Sequence, residues 1–157
     1  MTALADAVLA SPLGRELTPK EAEVLAALVT TRELADGEVL LQEGSADTHL
    51  HVILSGRIAV ARRRNDGWHV LHTLDAGDLV GELSFLDDEP RYATLLAAGP
   101  TRVLALKRAD FETLVESEPR VLYKVMRAIT RVARSVQQRL SRQMLDLQDY
   151  LFRTGAK

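Results

Sequence analysis

Cysteine is absent from this chain, which excludes a disulfide scaffold, a thiolate zinc site and a cysteine nucleophile together. No apolar run approaches the roughly 20 residues that span a bilayer. The first ten residues carry Asp6 and no basic cluster, so no secretory signal is expected and a cytoplasmic address follows. An excess of charge of one sign is missing too: 20 Lys+Arg stand against 22 Asp+Glu, a net charge of −2. No overall field therefore draws the chain to nucleic acid or an anionic membrane. What remains is an ordinary globular balance, with 46% hydrophobic and 27% charged residues in 157, enough for one domain with a real core and too little for two.

Three zones separate by hydrophobic period. In residues 1–33 the residues Leu4, Val8 and Leu9, then Val24, Leu25, Leu28 and Val29, recur at helical spacing, which predicts two short helices. Thr18, Pro19 and Glu21 form a start signal for the second, since a threonine cap and a glutamate three residues on can satisfy each other's backbone donors. In residues 34–107 the period falls to two, in short runs broken by glycine-bearing turns such as Asp36-Gly37, Ser55-Gly56 and Asn65-Asp66-Gly67. Residues 39–41, 50–54, 57–61, 68–71, 93–97 and 102–106 read as strands, and many short strands with regular turns indicate a small sandwich or barrel of jelly-roll type. Trp68 reads as core or loop packing rather than a binding platform. In residues 108–157 the helical period returns, first over Ala109–Val115 and then in a long helix over about 119–153.

That helix carries the most regular pattern. Leu122, Val125, Ile129, Val132, Val136, Leu140, Met144, Leu147 and Leu151 follow one another at steps of 3, 4, 3, 4, 4, 4, 3 and 4, a near-heptad seam with one slip. Its length, roughly 45 Å for about 30 residues, exceeds what a small domain covers, so the stripe is expected to face a second copy. The competing reading is that it caps the β-domain. Between Arg120 and Arg142 lie seven basic residues (Arg120, Lys124, Arg127, Arg131, Arg134, Arg139 and Arg142) and no acidic one; they read as a solvated face, with an acidic partner or nucleic acid as the alternative.

Polar chemistry concentrates between Gly81 and Thr94. Backbone N–H groups at a helical turn opened by a glycine point outward at an acceptor. Arg91 adds a charge-assisted donor suited to phosphate. Glu82, beside the cradle, suits a ligand hydroxyl, as acidic residues hold ribose elsewhere. These residue types suggest a ribose-phosphate; an internal Glu82–Arg91 ion pair is the plain alternative.

The same stretch resembles the phosphate-binding cassette, here residues 80–94, of the cyclic nucleotide-binding domain family. It shares the Gly81-Glu82-Leu83 opening, an arginine nine residues after the glutamate, and the Ala93-Thr94 pair. Upstream, residues 34–44 and 50–58 resemble the family's glycine-punctuated first strands. The resemblance implies a mainly β fold with flanking helices, an eight-stranded jelly roll, in a bacterial cyclic AMP receptor-like sensor domain. It implies that Glu82, with Gly81, takes the ribose 2′-OH, while Arg91 and the amides of Leu83 and Ser84, with Tyr92 and Ala93 beside them, hold the cyclic phosphate. Two positions depart from the pattern. Tyr92 stands where a small residue or Ser/Thr is usual, and stacks on a purine or fills the pocket; Val80 replaces an aromatic and is a candidate base contact. Gln137 and Gln138 on the long helix are the other candidates for the base, since an amide pairs with adenine's edge.

The expected ligand is cyclic AMP, with cyclic GMP as the alternative, and no cofactor or metal is expected. His49 and His51 share one strand face, but no carboxylate follows them at metal-site spacing, and His51 reads as replacing a core residue. No triad or carboxylate pair offers itself, so an enzyme is not expected. The residues after Leu151 leave no room for a helix-turn-helix, so direct DNA binding is not expected and the output passes to another protein. Arg91→Ala is expected to abolish binding and leave the fold intact. The alternatives are a degenerate domain whose pocket Tyr92 fills, acting as an interaction module, and a truncated transcription regulator.

Overall fold

The structure, a computed structural model, describes residues 2–81, 85 and 90–155. The chain enters through helix α1 (Ala3–Ala10), a 3-10 turn (Pro12–Gly14) and helix α2 (Pro19–Ala26). The predicted capping box is formed: the Glu21 amide donates to Thr18 Oγ1 at 3.2 Å and the Thr18 amide to Glu21 Oε1 at 3.0 Å. Eight strands follow among the described residues: β1 (Val29–Leu34), β2 (Val39–Leu41), β3 (His49–Ser55), β4 (Arg57–Arg64), β5 (Gly67–Asp75), β6 (Leu79–Val80), β7 (Thr94–Ala97) and β8 (Thr101–Lys107). They make two four-stranded sheets, ordered β1-β8-β3-β6 and β2-β7-β4-β5. The eight-strand jelly roll with flanking helices is thus present.

Strands β3 and β8 are sandwiched, and this sets the position of everything else. Leu50, Val52, Leu104 and Leu106 point to a core shared with Ala5, Val8, Leu25 and the C-terminal helices. Ile53 and Val103 point the other way, into a second core between the sheets with Ile58, Val60, Val80 and Leu95. Burial on both faces explains why these strands read as apolar runs rather than as strict alternation.

Three boundaries differ from the reading of the sequence. Strand β1 begins at Val29, where helical period was expected up to residue 33 and the first strand only at residues 39–41. Only its two ends are buried, so it shows no alternation, and its local signal is the β-branched Val29-Thr30-Thr31 run. It is a strand because it pairs antiparallel with β8, Val29 opposite Leu106 and Leu34 opposite Thr101. Strand β6 has two residues, too few for a period. The helix expected over Ala109–Val115 is two, α3 (Arg108–Glu112) and α4 (Leu114–Ser117), parted at Thr113, whose Oγ1 donates to the Asp110 carbonyl. Trp68 is not core: it is 43% exposed on β5, with the Arg63 guanidinium 5.5 Å from its ring centre.

The long helix α5 runs over Pro119–Gly155. Val121, Val125 and Ile129 are buried in the helix-side core, with Leu122, Met126 and Val132 packed against it, and Ala128 is buried as well. Three of the basic residues do not simply face solvent. Lys124 Nζ lies 2.6 Å from Glu21, and Arg127 and Arg131 lie 3.4 and 3.0 Å from Glu16. From Gln137 to Gly155 every residue is exposed. The reading that the stripe caps the domain thus holds for the first half of α5, and the second half is bare. No helix among the described residues is long and apolar enough to cross a membrane.

Candidate functional site

Strand β6 delivers the chain to Gly81, which must be glycine for two reasons. Its φ of +82° is left-handed backbone, and a Cβ there would collide with the Arg91 guanidinium. The Phe85 amide donates to the Gly81 carbonyl at 2.9 Å. Phe85 is fully buried in the helix-side core, its ring 5.4 Å from that of Phe111 on α3. Glu82, Leu83 and Ser84, expected to hold ribose and phosphate, lie outside the described residues, as does the proposed Glu82–Arg91 ion pair.

Arg91 is the central group. Its side chain is 5% exposed, and Nη2 donates to the carbonyl of His49 at 2.8 Å and of Asp47 at 3.2 Å, with the Asp47 carboxylate 3.7 Å away. The Arg91 amide also donates to Ser45 O at 3.1 Å, and its carbonyl accepts from the Gly44 amide at 2.7 Å. The arginine is thus sewn to the loop before β3 by both main chain and side chain. A buried guanidinium needs such partners, because an uncompensated interior charge is prohibitive. Arg91→Ala, expected to leave the fold intact, would also strip a donor from the His49 and Asp47 carbonyls.

The other expected contacts divide. Ala93 is 3% exposed and belongs to the core between the sheets. Val80 is in the same core at 1% exposure and has no surface to offer a base. Tyr92 is 64% exposed, so it does not fill the interior. Gln137 and Gln138 are exposed on the bare half of α5, and neither forms a side-chain hydrogen bond among the described residues.

Asp47 is the residue that sequence reasoning missed. It sits before the two histidines, whereas a carboxylate was sought after them. Its Oδ1 accepts from the His49 amide at 2.7 Å and lies 3.2 Å from His49 Nδ1, an Asx turn at the strand start, and its position two residues before a strand was the available signal. His49 and His51 do share a face, their rings stacked 5.9 Å apart. His51 is 5% exposed. Burial, helped by the Arg91, Arg32 and His49 charges and opposed by Asp47, pushes its imidazole down to about 4, so it is neutral near pH 7. Among the described residues no three acidic or histidine side chains are grouped to hold a metal ion.

A buried cation thus packs against Gly81 inside a two-sheet roll. The model of the family described as cyclic nucleotide-binding domain matches residues 31–118. The chain belongs to this family. Among relatives of this cyclic nucleotide-binding domain, the cyclic AMP receptor protein of Thermus thermophilus is 30% identical over 122 residues, covering 77% of this chain and 56% of the relative. A cAMP-dependent protein kinase regulatory subunit of Mycosarcoma maydis is 30% identical over 109 residues, 66% of this chain and 21% of that one. The chain therefore spans about half the length of the first relative and less of the second. In fold, the domain matches a crystal structure of a cyclic nucleotide-binding domain from Methylobacillus flagellatus with a TM-score of 0.81 at 22% identity, over 90% of this chain and 83% of that one.

Proposed function

We propose that this cyclic nucleotide-binding domain is a non-enzymatic cytoplasmic sensor for cyclic AMP that relays binding through its C-terminal helices to a partner protein. The observation that carries the reading is the buried Arg91 guanidinium packed on Gly81. In it, Arg91 and the amides of Leu83 and Ser84 hold the cyclic phosphate, and Glu82 takes the ribose hydroxyl. Cyclic AMP is preferred over cyclic GMP because the relatives above carry its name and because Tyr92 replaces the threonine that would suit guanine. The relay runs through Phe85: a cassette that moves on binding carries a fully buried ring pressed on Phe111 of α3, and α3 leads into α4 and α5. Such a shift of packed helices is a standard way for a ligand to bias two states. The bare half of α5, with its seam of Leu140, Met144, Leu147 and Leu151, serves a second copy of this chain. The reading in which Tyr92 plugs the pocket of a ligand-free module loses its premise, because that ring is mostly in solvent.

Calorimetry and thermal melts with cyclic AMP and cyclic GMP test this. At 100 times its Kd a ligand adds about 2.7 kcal/mol, or roughly 5 to 10 °C for a domain of this size. Arg91→Lys keeps the charge and loses the planar fork; it is expected to weaken binding at least tenfold. No heat and no shift with either nucleotide overturns the sensor.

A further inference from the structure

The inner face of β3 holds a group that the cassette leaves unexplained. Leu50 and Val52 face the helix-side core, so His51, between them and in step with Ile53, faces the space between the sheets. Its antiparallel neighbours are Val80 on β6 and Ala105 on β8. Val80 immediately precedes Gly81, on which the Arg91 guanidinium packs, and that same guanidinium is bonded to the carbonyl of His49, whose ring stacks on His51. The imidazole is thus 95% enclosed beside the anion site, and its Nδ1 has no hydrogen-bond partner among the described residues. A buried orphan nitrogen costs stability, and a hydrocarbon ring would fill the same volume without that cost. Nothing else on the strand needs the nitrogen.

We propose that His51 is a ligand contact that the cassette motif does not include, donating from Nδ1 to an oxygen of the phosphodiester that Arg91 holds. This rests on the sensor reading above. Asp47, which favours a charged ring, is engaged by His49, while the His49, Arg91 and Arg32 charges oppose a second proton on His51. An arriving anion reverses that field, so the imidazole gains a partner and is held as the Nδ1–H form or as the cation.

The test compares cyclic AMP binding by calorimetry in the full chain, in His51→Phe and in His51→Asn, whose amide places a donor near the Nδ1 position. A hydrogen bond to a charged group sets the expectation of a roughly tenfold or greater loss in His51→Phe, with most of the affinity restored in His51→Asn. The imidazole ¹⁵N resonances give a second reading on the unsubstituted protein, tractable because the chain has 4 histidines. Saturation with cyclic AMP is expected to move the His51 Nδ1 shift, which a purely structural ring would not show; this measurement decides the matter if His51→Phe does not fold. Unchanged affinity in His51→Phe, or an unmoved Nδ1 shift in a protein that does bind, overturns the contact and leaves the sensor standing. Failure of the unsubstituted chain to bind any cyclic nucleotide overturns both.

Discussion

Val125 and Leu147 lie on one stripe of one helix, yet Val125 is wholly enclosed while Leu147 is 53% exposed. In the first half of α5 the stripe meets α2, α4 and the 3-10 turn, and the flanking cations meet Glu16 and Glu21. In the second half Leu140, Met144, Leu147 and Leu151 are each more than half exposed, and Leu145 and Phe152 widen the apolar surface at 59% and 81%. The pattern of residues barely changes between the two halves. What changes is whether the rest of the domain reaches far enough to cover them, because a helix of 37 residues, about 55 Å long, outruns a domain of this size. An apolar stripe thus states that a surface will be covered, and the dimensions of the fold state by what.

The sharpest way to break this contrast is to place one charge in each half. Val125→Asp buries an unpaired carboxylate in the helix-side core and is expected to cost about 3 kcal/mol or more, visible as a steep loss in urea midpoint. Leu147→Asp is expected to change the stability of the isolated domain by less than about 0.5 kcal/mol, while lowering the mass seen by light scattering. If Leu147→Asp instead melts the domain as Val125→Asp does, the two halves are not independent.

The smallest effect belongs to the ion pair that fastens the packed half. The Lys124 ammonium beside Glu21, with the Thr18 amide, holds the Glu21 carboxyl below its usual range. A depressed carboxyl contributes stability above the unfolded value and loses it as pH falls through the folded one. Lys124→Gln should therefore lower stability by less than about 1 kcal/mol at pH 7. The difference from the unsubstituted protein should fade in acid below about pH 4.5, as denaturation at a series of pH values will show; a difference that grows in acid would mean Lys124 matters for another reason.

Much of the local structure could be read from residues a few positions apart. Thr18 and Glu21 announce α2 because a capping box involves only four neighbouring residues, and the seam of α5 is legible because helical period is local. Strand β1 was not legible, since its six residues owe their conformation to a ladder with β8, far along the chain. In the candidate site, Gly81 and Arg91 stood out by type and spacing. The tie between them did not, because a guanidinium resting on a glycine Cα is a contact between chain segments and not a spacing. The same holds for Asp47, whose link to Arg91 passes through the loop before β3, and for Tyr92, whose size suggested a plug and whose side chain faces solvent.

Residue order alone carried the fold class, the capped start of α2, the reach of α5 and the choice of Gly81 and Arg91 as candidate site residues, since period, capping and residue chemistry are properties of short segments. The burial of Arg91 and His51, the pairing of the basic residues with Glu16 and Glu21, and the point at which α5 leaves the domain depend on tertiary structure. Each of these depends on which distant surfaces meet, and burial and the field around a charge are set by those surfaces.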